Sequence, residues 1–316
     1  MRRTFIHLLL LSFSLSPLLA GDNPPVKPLP SGVVLVPGAI PSASDRLTPV
    51  PEGGTMDANA YHNDYFGLTY PVPENWNEPF KGPLPSDGGE YVLAQLVPGE
   101  TFKGPSKGTL LVTAQDLFFG SSSAANAAEW VKYGSDHLPS YYEVERAPAE
   151  ARIAGRPFTR FDYGSSVAGL HWFILTTEIR CHAVQFIFSS RDPQLLDTLV
   201  AGMEKMKTTG DGPACVADYA GGDNIISKVD PVLLDRKYNV IPVRIVIDKN
   251  GSVKHVHVLS AFAEQSRVIT DAVMQWKFKP YVRNGQPAEV ETGIVFGSTA
   301  LRRPKTPAPS TASAGQ

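Results

Sequence analysis

Proline and glycine limit which parts of this chain can form a folded domain. Proline fixes φ and has no backbone N–H, so a dense run of prolines interrupts both helices and sheet ladders. Eight prolines lie between residues 21 and 54, and residues 208–222 combine four glycines with Pro213. We therefore predict a disordered, extended spacer over residues 21–60 and a linker over residues 209–224. The tail over residues 300–316, rich in proline and small polar residues, is predicted to be disordered as well.

These breaks leave two segments that are long enough to bury a core, residues 61–208 and residues 225–299. Hydrophobic residues make up 42% of the chain and charged residues 19%, which is the composition of an ordinary globular protein. The formal net charge is only −2, so the chain lacks the basic character by which proteins bind nucleic acid. We expect two folded domains and no nucleic-acid partner.

The first twenty residues have the pattern of a secretory signal peptide. Arg2 and Arg3 precede an apolar run over residues 5–15, and Ala20 offers a cleavage position. The run is shorter than the roughly 20 apolar residues that a membrane-spanning helix needs. We expect residues 1–20 to be removed on export, which leaves a periplasmic or envelope-associated chain without a transmembrane span. An uncleaved N-terminal anchor is the alternative.

The first domain is rich in β-branched and aromatic residues, which favour strands. A helix is predicted at residues 121–138, where serines can cap its first turn, and a second one after Asp192, where Pro193 suits the first helical position. An α+β domain with an antiparallel sheet follows from this order. The predicted strands cover residues 66–72, 91–97, 110–117, 141–153, 157–163, 170–179 and 183–189.

The opening of this domain adds a resemblance. The run Tyr65-Phe66-Gly67-Leu68-Thr69-Tyr70 is followed by the turn Pro73-x-x-Trp76. Together with the order of strands and helices, this pattern resembles the α/β/α fold of the photosystem extrinsic subunit PsbP and its bacterial relatives. The resemblance implies a domain that is not an enzyme.

The second domain alternates as a half-buried sheet does. Over residues 240–248, Ile241, Val243, Ile245 and Ile247 share one face, and Arg244 lies on the other. Asn250-Gly251 predicts a hairpin turn with positive φ at both positions, and its partner strand covers residues 253–259. A helix is predicted at residues 266–277, and a closing strand at residues 289–296.

Four motifs of this domain occur in the order and spacing of a known family. They are Val246-Ile247-Asp248-Lys249-Asn250-Gly251-x-Val253, Val258-Leu259-Ser260, Asp271-Ala272-Val273-x-x-Trp276-Lys277-Phe278-Lys279-Pro280, and Asn284-Gly285-x-Pro287. Together they are similar to the TonB C-terminal domain. The resemblance implies a three-stranded antiparallel sheet packed on helices, and no active site. Its structural motif residues are Asn250, Gly251, Trp276, Phe278 and Pro280.

The same resemblance implies a mode of binding. Members of the family engage outer-membrane transporters by adding a peptide strand to the edge of the sheet, which is β-augmentation. The closing strand would be that edge, although it is alternatively an ordinary terminal strand. Two departures, Pro231-Val232-Leu233-Leu234 and Val240-Ile241-Pro242, together with a cleavable N-terminus, argue against a working energy transducer. The residues of the implied partner-binding edge are Val290, Thr292, Ile294 and Phe296.

The two cysteines, Cys181 and Cys215, enter an oxidising compartment if the chain is exported. A disulfide between them would close a loop that the chain-entropy description associates with about 3–4 kcal/mol of stabilisation. The alternative is two unrelated cysteines. The sequence leaves both open because it does not supply the Cα separation that a disulfide requires.

Candidate catalytic and metal-binding residues are few. His255 and His257 would share one face of a strand, but Val256 and Val258 mark the other face as the buried one, so we expect the histidines to be solvated. Gly134-Ser135-Asp136-His137 offers a hydroxyl, a carboxylate and an imidazole, but catalytic groups are recognised by spatial role. We predict a helix end there, and no metal, cofactor or enzymatic activity.

The sequence therefore predicts an exported, non-catalytic envelope protein that docks on a peptide strand of a protein partner, with a connection to outer-membrane transport. The alternative is a small-ligand carrier or sensor that uses residues 61–208, with a purely structural C-terminal domain.

Overall fold

The computed structural model describes residues 40–44, 49–57, 59–79, 82, 89–99, 107–120, 122, 124–210, 212–232 and 240–297. The predicted signal peptide, the predicted tail and most of the predicted spacer lie outside these residues. Within them, no helix combines the length and hydrophobicity that a membrane crossing requires. The fold is α+β, with one large and one smaller β-sheet region, each packed against helices.

The described residues of the N-terminal half form eleven strands and two helices. The helices are α1 (Ala127–Asp136) and α2 (Pro193–Gly202), and α2 continues into a 3-10 turn, Met203–Lys205. The strands are β1 (Ile40–Ser44), β2 (Thr55–Met56), β3 (Ala60–Asn63), β4 (Leu68–Pro71), β5 (Trp76–Asn77), β6 (Glu90–Pro98), β7 (Gly108–Asp116), β8 (Glu143–Ile153), β9 (Arg156–Ser165), β10 (Leu170–Ile179) and β11 (His182–Ser190).

In the C-terminal half, the part of the chain that the structure describes forms nine strands and one helix. The helix is α3 (Ala263–Val273), and a 3-10 turn covers Gly222–Asn224. The strands are β12 (Lys207–Thr208), β13 (Ala214–Cys215), β14 (Ile225–Ser227), β15 (Ile241–Ile247), β16 (Val253–Ala261), β17 (Lys277–Phe278), β18 (Val282–Arg283), β19 (Gln286–Pro287) and β20 (Val290–Phe296).

The first domain is built on a seven-stranded sheet with the order β5-β6-β7-β11-β10-β9-β8. Its strands pair antiparallel, and the predicted strands lie within two residues of the observed ends. Helix α1 covers one face of the sheet through Val131, which packs with Phe161 and Ile174. Helix α2 covers the other face, where Leu196 joins a core with Phe186. The sheet therefore lies between helices.

The two helices of this domain differ in how well their starts were predicted. Asp192 caps α2 as expected, because its side chain accepts the N–H groups of Gln194 and Leu195. Helix α1, however, begins at Ala127 and not at residue 121. Asn126 caps it by accepting the N–H of Glu129. Asparagine is as strong an N-cap as serine, so the cap lies nearer the apolar stripe than predicted.

The C-terminal sheet has five strands, in the order β1-β16-β15-β20-β13. The central three strands pair antiparallel and form the sheet that the sequence predicts. Helix α3 packs on one face, where Ile269, Val273 and Trp276 join the apolar side chains of β15 and β16. The helix ends at Val273, four residues before the predicted end, because the chain turns there into β17, which pairs with β14.

The two flanking strands, β1 and β13, were not predicted. Strand β1 lies inside the supposed disordered spacer and pairs antiparallel with β16, for example Pro41 with Ser260 and Ala43 with Val258. An open sheet edge offers unpaired backbone groups, and proline is tolerated in an edge strand. Strand β13 lies inside the supposed linker and pairs in parallel with β20. Both predictions of unstructured chain are therefore corrected at these strands.

The hairpin turn between β15 and β16 also differs from its prediction. Gly251 has positive φ (82°), whereas Asn250 does not. The reason is Asp248, whose Oδ1 accepts the N–H groups of Asn250 and Ser252 and organises a different turn. A Cβ at Gly251 would lie 1.9 Å from the carbonyl oxygen of Phe278, so glycine is required there.

Candidate functional site: the rims of the C-terminal sheet

Both faces of the C-terminal sheet are covered. All seven residues of β15 are buried. Ile241, Val243, Ile245 and Ile247 face the core formed with α3. Arg244 points to the opposite face, yet its side chain is only 1% exposed, because the first domain lies over that face. Partners therefore cannot reach either face of β15.

The histidines of β16 show the consequence most clearly. We expected His255 and His257 on a solvated face, but His257 is buried and His255 is partly buried. The ring of His257 lies 6.2 Å from that of Tyr65 and 6.5 Å from that of Tyr91, both in the first domain. The prediction failed because these tyrosines are distant in sequence. Among the described residues, no group of His, Cys, Asp or Glu could hold a metal ion.

Arg244 connects the two domains through charged contacts. Its Nε donates to Asp116 Oδ2 at 2.5 Å, its Nη1 lies 3.2 Å from Glu291 Oε1, and its Nη2 donates to the carbonyl of Cys181 at 3.0 Å. Burial alone would lower the pKa of Arg244, but Asp116 and Glu291 outweigh burial and raise the pKa above its ordinary value. The guanidinium is thus held charged in the interior.

A second arginine approaches the same glutamate from the first domain. Arg180 Nε donates to Glu291 Oε2 at 3.3 Å, and its Nη1 donates to the carbonyl of Tyr65 at 2.9 Å. The guanidinium of Arg180 lies 3.9 Å from the centre of the Tyr65 ring, and the Tyr65 hydroxyl donates to Glu291 Oε1 at 3.2 Å. Buried charges are retained only with such partners, so these contacts fix how the domains meet.

The two-residue turn between β10 and β11 has the backbone of a common hairpin turn but residues that rarely adopt it. Arg180 and Cys181 both have positive φ, 49° and 59°, although neither is glycine. Each such conformation costs roughly 1–2 kcal/mol for an L-residue. Both carbonyls accept N–H groups of Arg244. Backbone strain of this kind persists where surrounding contacts maintain it, so the domain contacts hold this turn.

Cys181 also joins the turn covalently to residues 209–224, the segment that was predicted to be a linker. The structure pairs Cys181 with Cys215 at an S–S distance of 2.10 Å and a Cα–Cα distance of 5.5 Å. Because Cys215 belongs to β13, the disulfide attaches β13 to the first domain. The disulfide alternative of the sequence analysis is the one that the structure contains.

Strand β20 was predicted to be the open edge, and its first half is not. The N–H of Val216 donates to the carbonyl of Glu291, and the N–H of Gly293 donates to the carbonyl of Ala217. Thr292 Oγ1 donates to the same carbonyl and accepts the N–H of Ala220. Residues 214–220 therefore cover this half of the rim.

The register of β20 also changes the meaning of the predicted partner-binding residues. The odd-numbered residues Glu291 and Gly293 direct backbone groups outward, away from β15. The even-numbered side chains face α3: Val290 is in the core, and Ile294 and Phe296 pack against it. The uncovered part of the rim therefore begins at the carbonyl of Gly293 and continues through Val295, whose side chain is 48% exposed.

The structural motif residues lie where a packed domain needs them. Trp276 is buried in the core, and its indole N–H donates to the carbonyl of Val229 at 2.8 Å. Phe278 is buried beside it, and its N–H donates to the carbonyl of Gly251. Pro280 is exposed and lies two residues after the end of β17. These residues form the base of the sheet.

The first domain contains a separate groove of about 670 Å³ between α1 and strands β8–β10. Phe158, Thr176 and Glu178 contribute to its floor, and burial raises the pKa of the Glu178 carboxyl. Asp136 also lines it but pairs with Lys132 at 2.7 Å, and His137 Nδ1 lies 2.8 Å from the carbonyl of Tyr133. The structure thus places residues 134–137 at a helix end, as predicted, and gives them separate partners.

The interdomain residues Asp116, Arg180, Arg244 and Glu291 were missed from the sequence. One signal was available for Arg244, since it interrupts the apolar run of β15 on both sides. A charge inside such a run is expected either at a solvated face or in a buried ion pair. The sequence could not decide between them, because its partner Asp116 is 128 positions away.

Residues 236–297 match the family model described as the Gram-negative bacterial TonB protein C-terminal. This match comprises β15, β16, α3 and β20, so the C-terminal sheet is of the TonB C-terminal type. No curated protein matches the chain.

Two of the solved structures that are similar to the chain illustrate the range of the likeness. One is the solution structure of cyanobacterial PsbP (CyanoP) from Synechocystis sp. PCC 6803. It is 17% identical in sequence, the match covers 49% of this chain and 96% of that chain, and the TM-score is 0.33. The other is the crystal structure of LpqN, involved in cell envelope biogenesis of Mycobacterium tuberculosis. It is 15% identical, the match covers 54% of this chain and 92% of that chain, and the TM-score is 0.31. At these values neither similarity bears on function.

Proposed function

We propose that this protein is exported to the bacterial cell envelope, has no catalytic activity, and holds a protein partner by strand addition at a rim of its C-terminal sheet. A connection of that partner to outer-membrane transport is part of the proposal. The match of residues 236–297 to the TonB C-terminal family supports an envelope protein with protein contacts. The signal-peptide pattern of residues 1–20 supports export.

One observation carries the proposal: the complete burial of β15. A sheet can offer a partner its faces or its edges. Here α3 occupies one face and the first domain the other, so backbone groups at the rims are the surface that remains. Strand addition uses such groups for affinity and adjacent side chains for selectivity.

The charged side chains of the interior support a non-catalytic protein. Asp116 and Glu291 could serve as acid or base, but each is engaged by a buried arginine. Asp116 Oδ1 additionally accepts the N–H groups of Phe118 and Phe119. A carboxylate engaged in this way is suited to fixing geometry, since its oxygens already accept several donors of the protein itself.

Site-specific photo-crosslinking in cells tests the proposal. The photoreactive residue replaces Ser260 or Val295 at the two rims, and, as controls, Val282 or Val167, which are exposed away from the rims. We expect a rim position to crosslink one segment of one envelope protein, identified by mass spectrometry. Crosslinking of that segment at Val167 alone would move the binding site to the first domain and contradict the proposal.

The groove of the first domain favours a second candidate function, a small-ligand carrier. Its volume of about 670 Å³ lies within the range of small-molecule sites, and its lining is mainly apolar. A library of small amphipathic molecules would be screened for a rise in Tm. A true groove ligand loses its effect in Ala128→Trp, which fills the groove, and keeps it in Ala125→Trp, which does not line it. Equal shifts in both variants would exclude the groove.

A further inference from the structure

We propose that the edge of β16 is the strand-accepting rim, and that β1 is an exchangeable internal occupant of this edge. The partner is an extended segment of another polypeptide that runs antiparallel to β16. This inference rests on the proposed function, because it names which rim of the sheet receives the partner.

The rim at β20 is closed by contacts that are hard to displace. Strand β13 pairs with β20, and the Cys181–Cys215 disulfide attaches β13 covalently to the first domain. Tyr219 follows in the core, and its hydroxyl donates to the carbonyl of Lys279 at 2.7 Å. A competing strand would have to remove a covalently attached segment, and the remaining rim beyond Gly293 is short.

The rim at β16 is occupied differently. Strand β1 comprises five residues, and its described contact with the sheet is antiparallel pairing with residues 257–261. No disulfide attaches it. When β1 leaves, the same backbone groups of β16 become available to another strand. The neighbouring positions Val258, Leu259 and Ala261 are apolar and buried, so they favour a partner segment of small and apolar residues.

The register of the sheet determines how β1 is oriented. Successive residues of a strand direct their backbone groups to opposite sides, and the even-numbered residues of β20 direct theirs to β15. Followed across β15 into β16, this alternation directs the backbone groups of Val258 and Ser260 to β1. Ala43, opposite Val258, therefore directs its N–H to β16, Pro41, opposite Ser260, offers only its carbonyl, and Ser42 directs its N–H away. The two positions Ala43 and Ser42 therefore provide a matched pair of variants.

Binding of a labelled peptide to the full-length chain tests the inference. The probe is a fluorescein-labelled peptide with the sequence of residues 38–46, followed by fluorescence anisotropy. Ala43→Pro removes an N–H that pairs with β16, so β1 dissociates more readily and the edge is free more often. Apparent affinity is reduced by the fraction of molecules in which a site is unavailable. We expect Ala43→Pro to bind the peptide at least tenfold more tightly than the wild type, and Ser42→Pro to bind like the wild type. Equal binding by all three chains would overturn the inference.

Hydrogen exchange of the wild-type chain gives a second test that depends on no variant. An exchangeable β1 must open far more often than the centre of the sheet. We expect the amide of Ala43, which pairs with β16, to exchange at least about tenfold faster than those of Val243 and Ile245, since local opening sets exchange rates. Equally slow exchange would show that β1 is a permanent strand and would overturn the inference.

The two proposals fail in distinguishable ways. If Ala43→Pro binds the peptide tightly but no rim position crosslinks an envelope protein, the β16 edge accepts a strand and the proposed function is wrong. If Val295 crosslinks a partner while Ala43→Pro gains no affinity, the proposed function stands and the choice of rim is wrong.

Discussion

Replacing Arg244 by methionine tests how the two domains are held together. Methionine has similar length and no charge, so the change removes the guanidinium and largely keeps the volume. Asp116 then loses its contact at 2.5 Å and Glu291 its contact at 3.2 Å, and the carbonyl of Cys181 loses its donor. The carboxylates of Asp116 and Glu291 have side chains no more than 1% exposed, so water does not replace what is lost.

The expected cost follows from this burial. Removing one partner of a buried ion pair is destabilising by about 3–5 kcal/mol, because the other charge stays in the interior without compensation. Arg180 still engages Glu291, so the uncompensated charge is mainly that of Asp116. A second change, Asp116→Asn, removes this charge and should recover part of the loss. We therefore expect Arg244→Met alone to lower the free energy of unfolding by about 3–5 kcal/mol. The double variant should lose clearly less than the sum of the losses in the two single variants.

Urea unfolding followed by tryptophan fluorescence and circular dichroism provides the measurement. Arg146→Met is the matched control: it also removes an arginine paired with an aspartate, Asp162, but the Arg146 side chain is 54% exposed. We expect that control to cost at most about 1 kcal/mol. A cost below about 1 kcal/mol for Arg244→Met, or additive costs in the double variant, would refute the reasoning.

Three further predictions concern the turns, the rim and pH. Gly251→Ala should destabilise the chain more than Gly285→Ala in chemical unfolding. Both glycines have positive φ, which costs an alanine about 1–2 kcal/mol, but only at Gly251 would the new Cβ also meet a backbone oxygen. Equal losses of stability in the two variants would contradict this. Ile294→Pro should lower the free energy of unfolding by about 1–3 kcal/mol, because it removes an N–H directed at β15. Val295→Pro should be nearly neutral, because the N–H of Val295 is directed away from β15. A larger loss for Val295→Pro than for Ile294→Pro would disprove the register. Burial lowers the pKa of His182 well below its ordinary value of 6.5. As the pH falls, the unfolded chain therefore binds this proton before the folded chain does. The free energy of unfolding should be unaffected by His182 above pH 6.5 and should fall by about 1.4 kcal/mol per pH unit below pH 6.5. His182→Asn should reduce that slope in urea titrations at several pH values, and an unchanged slope would assign it to other groups.

Local pattern predicted the strands well, because their signal is contained in the residues themselves. The alternation of β15 and the apolar stripe of α2 each specify both an element and the face it buries. Helix ends were less predictable. Helix α1 begins at Ala127 after its cap Asn126, and several neighbouring residues could have served equally as that cap.

The pairing of distant segments could not be predicted. Strand β1 lies in a proline-rich segment with no strand pattern, and it forms only because the edge of β16 is available. Strand β13 has two residues and depends on β20 and on the disulfide. In both cases tertiary contacts override a local sequence that favours extended, unpaired chain.

The candidate site was predicted in kind and misplaced in detail. The sequence identified β20 as an edge, but half of that edge is covered by residues 214–220. The same limitation affected His257, whose burial depends on Tyr65 and Tyr91 in the other domain. Alternation shows which side chains share a face. It does not show whether solvent or a second domain lies against that face.

The account depends on the first domain being fixed against the C-terminal sheet, since this is what leaves only the rims for binding. Backbone N–H residual dipolar couplings, measured for both domains of the full-length chain in one alignment medium, test this most directly. We predict that a single alignment tensor fits β7, β10 and β11 together with β15, β16 and β20 in the relative orientation described above. Two tensors of different magnitude or orientation would show that the domains move independently, and would contradict the account.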